Sequence, residues 1–165
     1  MEARVGADGL WRMGPMLARA ALGRGGVRGA GDKREGDGAT PAGLLRLRRV
    51  LYRADRVARP RASVLVTPLA PHDGWCDDPA SRLYNQAVRL PCEDRHEALW
   101  REDGLYDVIA VLGWNDAPPV PGRGSAIFLH VAPPGGGPTE GCVALPLPEL
   151  QAALAAGLTA VQVEA

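Results

Sequence analysis

The chain has 165 residues, of which 46% are hydrophobic, and its 19 basic residues balance 19 acidic ones. This length suits one domain with a real core, and the hydrophobic fraction excludes a disordered chain. The balanced charge excludes a strong overall field for nucleic acid or anionic lipid, so we expect neither as a partner.

The first part of the chain predicts short strands joined by a long polar loop. "GLWRMGPMLARAALGRGGV" predicts one or two strands of a hairpin that ends in a glycine-rich turn. "GAGDKREGDGATPAG" is polar and without period, and a loop this long is more often functional than inert. "LLRLRRVLYRADRV" alternates in part, with Leu45 and Leu47 opposite Arg46 and Arg48, which predicts a half-exposed antiparallel strand. "RASVLVTPLA" predicts another short strand.

The second part of the chain predicts further strands and one or two helices. "PHDGWCDDPASRLYNQAVRLP" is rich in turn formers and predicts irregular structure. "CEDRHEALWRED" predicts a short helix with His96, Leu99 and Trp100 on one face. "YDVIAVLGWN" and "SAIFLHV" predict buried strands, "LPELQAALAAG" predicts a helix stopped by Gly157, and "LTAVQVEA" predicts a closing strand. Together these elements predict a single, mainly β domain over residues 1–165, mostly antiparallel, with one or two short helices packed on it.

Three cysteines bound the redox and metal chemistry. An odd number leaves at least one of Cys76, Cys92 and Cys142 unpaired, and a Cys76–Cys92 bridge would need an oxidising compartment. None of the three stands in a CxxC or CxxH pair, so we expect no metal site and no cofactor.

The sequence predicts neither a membrane span nor a secretory signal. No stretch approaches the roughly 18 apolar residues that a spanning helix needs. Glu2, Asp8 and several arginines stand where the apolar core of a signal should lie.

The chemistry with the most support joins a histidine to a cysteine. A period of two places Ala126, Phe128 and His130 on one face of the "SAIFLHV" strand, and a Gly/Pro loop then leads to Cys142 in "TEGCV". An imidazole within hydrogen-bond reach would lower the pKa of the thiol and return its proton to a leaving amine. Backbone N–H groups at Gly141 and Cys142 would form an oxyanion hole. The residues alone leave open a second interpretation, in which Cys142 is a small buried core residue and His130 a structural one.

At this point the residues resemble a known family. "GSAIFLHV…PTEGCVAL" resembles the signature of the L,D-transpeptidase (YkuD-type) catalytic domain: a strand histidine, a loop, then Ser/Thr-x-Gly-Cys and an apolar residue. "KREGDGATPAG" resembles the family's TP-x-G stretch, which leads into a strand flanking the site. "GWCDDPASRLYN" and "LYDVIAVLGWN" resemble a subgroup of small stand-alone proteobacterial proteins. The likeness runs from about Gly23 to Val163.

The resemblance implies a fold and a reaction. The fold would be a β-sandwich of mixed sheets with short helices. The enzyme would attack a peptidoglycan stem peptide between diaminopimelate and the terminal D-alanine, forming a thioester and releasing D-alanine. A diaminopimelate amine would then form a cell-wall crosslink. The resemblance also implies a periplasmic or cell-envelope location, although no signal peptide is visible, and it implies no obligate protein partner.

The resemblance also implies roles for individual residues. Cys142 would be the nucleophile and His130 its general base and then acid, oriented by a backbone carbonyl. Gly141 would contribute to the oxyanion hole, and Thr139 would hold the loop and border the substrate. Lys33 is a further candidate for binding substrate.

Two positions depart from the common form of the motif. Glu140 stands where a histidine is usual, and Ala144 stands where arginine or asparagine is frequent. A carboxylate pointing at the thiol would raise the thiol pKa, so we expect Glu140 to face solvent or an arginine such as Arg123, itself a candidate for binding substrate.

Two rival functions stand beside the transpeptidase, and the departures near Cys142 support the first of them. In one, water resolves the same thioester and the protein is an L,D-carboxypeptidase or amidase. In the other, Cys142 is structural and the protein is a non-catalytic wall-binding module.

Overall fold

Short strands carry most of the regular structure, and a single helix packs against them. The structure is a computed structural model that describes residues 1–165. In chain order the elements are β1 (Glu2–Val5), β2 (Leu10–Met13), β3 (Met16–Arg19), β4 (Val27–Arg28), β5 (Thr40–Pro41), β6 (Gly43–Tyr52), β7 (Val66–Pro68), β8 (Asp73–Cys76), β9 (Ala87–Arg89), β10 (His96–Ala98), β11 (Val108–Gly113), β12 (Phe128–Val131), β13 (Val143–Leu145), α1 (Leu147–Ala155) and β14 (Ala160–Val163).

A large mixed sheet forms the body of the protein. Its strand order is β13-β12-β11-β6-β14-β1-β2-β3, with β7 added beside β6. The pairs β1–β14, β6–β7 and β12–β13 are parallel, and the other pairs are antiparallel. Beyond β3, isolated bridges join Ala21 to Ala144 and Gly23 to Thr139. These bridges bring the two edges of the sheet together, so the sheet nearly closes into a barrel.

The inner face of this sheet encloses the main core. Leu45 and Leu47 are buried and Arg46 and Arg48 are exposed, so the predicted alternation along β6 is confirmed. The alternation ends at Arg48, where the β6–β11 register slips, because a bulge shifts the phase of the following side chains. Leu150 and Leu154 of α1 also pack into this core, and Gly157 follows the helix at φ +86°, a conformation suited to a glycine stop.

A second layer covers the outer face of β11 and β12. The three-stranded sheet β10-β8-β9 packs there, and a second core of buried apolar residues fills the space between the layers. Trp75 and Tyr106 meet Phe128 edge to face, with ring centroids 5.2 and 5.9 Å apart. The predicted fold class, a β-sandwich of mixed sheets with one or two short helices, is therefore confirmed.

Two local predictions were wrong. The segment predicted as a helix around His96 is instead β10, which pairs with β8, and Leu99 N–H donates to Asp73 O at 3.0 Å. The segment predicted as irregular contains β8 and β9. In both cases pairing between segments distant in sequence outweighs the local pattern, which is the usual weakness of inference from short windows.

Two further findings bear on the expectations from composition. All three cysteines are free, so no Cys76–Cys92 bridge is formed. The helix α1 lacks the length and the apolar character needed to cross a membrane.

Candidate active site

Two adjacent parallel strands bring His130 and Cys142 to the same cavity. The β12–β13 register pairs His130 with Ala144, and Cys142 immediately precedes β13. Both side chains line a cavity of about 330 Å³ at the edge of the second layer, as does Thr139. The histidine and the cysteine that the sequence pattern predicts as a pair therefore line the same cavity.

The thiol of Cys142 is held between two backbone groups of the segment that leads into β12. Its Sγ donates to Ala126 O at 3.2 Å and accepts from Phe128 N–H at 3.4 Å. Burial raises the pKa of Cys142 to about 12, and the negative charge of Glu97 acts in the same direction. In this geometry the thiol is protonated and makes no hydrogen bond to His130.

The Ala126 carbonyl that accepts from the thiol belongs to a constrained backbone. Ala126 has φ +54°, a conformation that residues other than glycine seldom adopt. The buried amide of Asn85 supports it: Asn85 Oδ1 accepts from Ala126 N–H and from Trp75 Nε1, both at 3.0 Å. Asn85 Nδ2 donates to the carbonyls of Trp114 and Asn115, each at 2.8 Å. One side chain thus ties the second layer to the backbone under the thiol.

His130 is buried and oriented by a backbone carbonyl. Its Nδ1 lies 2.9 Å from Val131 O, and its ring meets Tyr106 edge to face at 5.3 Å. Donation from Nδ1 to that carbonyl leaves the lone pair on Nε2. Burial lowers the pKa of His130, so the imidazole is neutral near pH 7 and able to accept a proton.

The turn before the nucleophile candidate is organised by a threonine. Thr139 Oγ1 donates to Cys142 O at 2.6 Å and accepts from Gly141 N–H at 3.1 Å. In the resting geometry this hydroxyl engages the Gly141 N–H, which was predicted for an oxyanion hole, whereas the Cys142 N–H makes no hydrogen bond within the protein. Of these two N–H groups, only that of Cys142 is free to donate to a bound molecule.

Only glycine fits immediately before Cys142. Gly141 has φ +135°, and a Cβ built there would lie 2.9 Å from Ala39 O. The segment that crowds it also carries Thr40, whose Oγ1 accepts from Gly23 N–H at 2.9 Å and lies 3.5 Å from Cys142 O. The TP-x-G stretch thus borders the site, and Gly43 at its end begins β6.

The remaining site candidates fall in different places. Lys33 lines the cavity, but it is buried and its Nζ lies 2.8 Å from Asp37 Oδ1. Arg123 does not line the cavity; its guanidinium donates to Ala30 O at 3.0 Å. Glu140 is exposed as expected, yet its partner is Arg24, at 2.9 Å, rather than Arg123.

Several cavity residues were not predicted from the sequence. Glu97, Arg101 and Tyr106 lie on the wall beside His130, and Glu35 accepts from Tyr84 and Ser125 hydroxyls at 2.6 Å. Glu97 was not predicted because its segment was assigned to a helix, and a helix gives the wrong direction for each side chain of a strand. A strand assignment would have placed Glu97 on the face opposite to that of its neighbours His96 and Ala98, although its pairing with Trp75 is visible only in the fold.

No group of three or more histidine, cysteine or acidic side chains is arranged to hold a metal ion.

Comparison with known families finds one match. The family model described as the L,D-transpeptidase catalytic domain, YkuD, matches residues 8–163. No curated protein and no solved structure matches the chain significantly.

Proposed function

Because the chain belongs to the L,D-transpeptidase catalytic domain (YkuD) family, a family of acyltransferases, we propose that it is a cysteine-dependent L,D-transpeptidase acting on peptidoglycan stem peptides in the cell envelope. The observation that carries the proposal is the meeting of Cys142 and His130 at one cavity. A structural cysteine would need neither a cavity beside it nor a neutral imidazole with a free lone pair.

The first half of the reaction forms the thioester. In the proposed mechanism, donor binding turns Sγ from Ala126 O toward His130 Nε2. His130 takes the thiol proton, and the sulfur attacks the carbonyl of diaminopimelate. The Cys142 N–H donates to the developing oxyanion. His130 then gives its proton to the nitrogen of D-alanine, which leaves.

The resting geometry explains how the thiol is protected before substrate arrives. A thiol with a pKa of about 12 has almost no thiolate at neutral pH and reacts slowly with oxidants and alkylating agents. Donor binding presents an electrophile beside the thiol. The proposal therefore places activation of the nucleophile after donor binding.

The second half of the reaction decides between transfer and hydrolysis. A diaminopimelate amine that attacks the thioester gives a crosslink, and water gives a shortened stem peptide. The acidic groups that line the cavity, Glu35 and Glu97 among them, favour an approaching ammonium over neutral water. This observation supports transpeptidation as the main outcome.

The test is incubation of the protein with disaccharide-tetrapeptide, followed by mass spectrometry of protein and products. We expect an acyl-enzyme on the Cys142 peptide, free D-alanine and crosslinked dimers. Cys142→Ser serves as the matched control, since a hydroxyl retains both hydrogen bonds at the site but is a far weaker nucleophile.

Each outcome separates one of the three candidate functions. Tripeptide monomers in place of dimers would identify a carboxypeptidase. Binding of the substrate without any acyl-enzyme, equal in the wild type and in Cys142→Ser, would identify a wall-binding module and refute the proposal.

A further inference from the structure

The proposed reaction gives no proton-transfer step to Glu97, one of the four acidic residues that line the cavity. Glu97 lies at the middle of β10, and the β10–β8 register sets it opposite Trp75. Its side chain is partly buried and lines the cavity that holds Cys142 and His130. A carboxylate next to a nucleophilic sulfur is unfavourable for forming a thiolate, so its presence calls for a compensating use.

The partners of Glu97 are those of a carboxylate without a counter-ion. Tyr106 Oη donates a hydrogen bond to Glu97 Oε1, and no side-chain cation forms a salt bridge with Glu97. The nearby Arg101 is engaged instead by Asp103, with Nε 3.1 Å from Oδ1. A carboxylate offers about four acceptor sites, so most of the capacity of Glu97 is unused.

The position of Glu97 is fixed relative to the base of the reaction. Tyr106, which holds Glu97, packs its ring against His130 at 5.3 Å and against Phe128 at 5.9 Å. Burial raises the pKa of Glu97, which makes it a stronger proton acceptor than an exposed glutamate. The carboxylate is thus preorganised, and its raised pKa lies closer to the pH at which it would act.

The other cavity carboxylates do not share these features. Glu140 is exposed and paired with Arg24, and Asp77 lies 3.1 Å from Arg95. Glu35 has two hydroxyl donors on one oxygen. None of these three is joined through a side chain to the ring of His130.

The second half of the reaction needs a second proton acceptor. A primary amine has a pKa of about 8 or above and is largely ammonium at pH 7. Its nitrogen must lose one proton before it attacks and another as the amide forms. His130 offers a single acceptor, Nε2, because Nδ1 is committed to Val131 O.

We propose that Glu97 is a further catalytic residue, which binds the ammonium of the acceptor and takes the first of its two protons. This inference rests on the proposed function. The carboxylate becomes a carboxylic acid as the ammonium becomes an amine, and the amine nitrogen attacks the thioester carbonyl. The carbon–sulfur bond then breaks, His130 passes the second proton to the departing sulfur, and Glu97 returns its proton to solvent. The products are an amide and the free thiol.

The first experiment separates acceptors by their charge. Wild type and Glu97→Gln are acylated with the tetrapeptide donor, and the decay of the acyl-enzyme is followed with diaminopimelate or with hydroxylamine, which is neutral at pH 7. We expect Glu97→Gln to form the acyl-enzyme but to lose about 10²-fold in the rate with diaminopimelate, and about threefold or less with hydroxylamine. Tyr106→Phe should show the same selectivity to a smaller degree.

The matched control removes a nearby charge outside the cavity. Glu102→Gln lies five residues further along the chain, where its exposed carboxylate pairs with Arg56. The acyl-enzyme of this variant should decay at the wild-type rate with both acceptors. Equal losses with both acceptors in Glu97→Gln, or the same loss in Glu102→Gln, would overturn the proposal.

The second experiment does not depend on peptidoglycan chemistry. Cys142 is labelled with cationic aminoethyl methanethiosulfonate and with the neutral methyl reagent, and the labelled peptide is quantified by mass spectrometry. The ratio of the two rates cancels any change in the thiol pKa, and we expect it to fall in Glu97→Gln alone. An unchanged ratio would overturn the role in binding ammonium. A fall in this ratio without any acyl-enzyme in the first experiment would refute the proposed function and leave the cation site standing.

Discussion

The two faces of β12 illustrate different uses of the same strand. Leu129, and Ile127 just before the strand, pack among the apolar side chains of the inner core, although Ile127 also borders the cavity. Ala126 and Phe128 point outward, into the layer that also contains Cys142, and His130 follows them at the cavity. The inner face contributes to an apolar core. The outer face contributes to a second core that borders the cavity of Cys142 and His130.

The difference lies in how polar groups are treated. The inner core is built almost wholly from apolar side chains, with Trp11 Nε1 as a buried donor that has no partner, so its stability comes mainly from apolar burial. On the outer face, hydrogen bonds hold Asn85, Thr139 and His130, and the backbone at Ala126 is constrained. Stability should therefore depend mainly on the first face and reactivity on the second.

The strongest test of this division is His130→Ala. We expect crosslinking activity to fall by at least about 10³-fold, because no other side chain accepts the thiol proton. The free energy of unfolding should fall by about 1–2 kcal/mol, less than for a core leucine, because the ring borders an existing cavity and loses one ring contact and one hydrogen bond. Activity is measured on the tetrapeptide and stability by urea denaturation. His72→Ala, an exposed histidine, is the control; a large loss of stability in His130→Ala alone would break the division.

The second test uses the pH dependence of Cys142. Because its pKa is raised to about 12, the rate of iodoacetamide labelling at Cys142 should rise about tenfold per pH unit through pH 9, without a plateau. Loss of the proton is harder in the folded state than in the unfolded state. The raised pKa therefore costs no stability below the ordinary thiol pKa, and the free energy of unfolding falls as pH rises from about 9 toward 12. A plateau near neutral pH would show instead that the resting thiol is already paired with His130.

Leu129→Ala tests the inner face. Leu129 is fully buried, so we expect a loss of about 2–5 kcal/mol in the free energy of unfolding. The chemistry at Cys142 should be retained per folded molecule. Leu17→Ala, at an exposed leucine of β3, should change stability by less than about 0.5 kcal/mol in the same urea experiment.

Asn85→Ala tests whether the outer face can be loosened without touching the nucleophile. Its loss leaves Trp75 Nε1, Ala126 N–H and two carbonyls without partners, at a cost of about 2–3 kcal/mol in the free energy of unfolding. With Ala126 released, labelling of Cys142 should accelerate. Gln86→Ala, an exposed neighbour, should alter neither; if Asn85→Ala labels at the wild-type rate, the Ala126 carbonyl does not control the thiol.

The sequence could predict the features that are local and periodic. The alternation of β12 placed His130 correctly on the face of Phe128, and the apolar period of α1 with Gly157 predicted the final helix. The family signature predicted the fold class. The first two depend on spacing within about ten residues, and the signature spans Gly124 to Leu145.

Long-range pairing accounts for what the sequence could not predict. Nothing in the segment around Glu97 indicates that β8, some twenty residues earlier, will pair with it. Nor does any local pattern indicate that Asn85 will reach Ala126, or that Glu140 will find Arg24. The partners of polar side chains depend on the assembled layers, so the electrostatics of the cavity emerge only with the fold.

Thr139→Val should give the smallest effect and the most local one. The substitution removes the hydroxyl that joins Gly141 N–H to Cys142 O while keeping the β-branched shape, so we expect a loss of about 1–2 kcal/mol in stability. The turn that aims the Cys142 N–H would be less fixed, and kcat should fall while KM changes little, because the oxyanion forms only during reaction. Thr139→Ser keeps the hydroxyl and should restore kcat. If valine and serine behaved alike, the hydroxyl would only fill space, and the organisation of this turn would have to come from Thr40 and the backbone of Gly141.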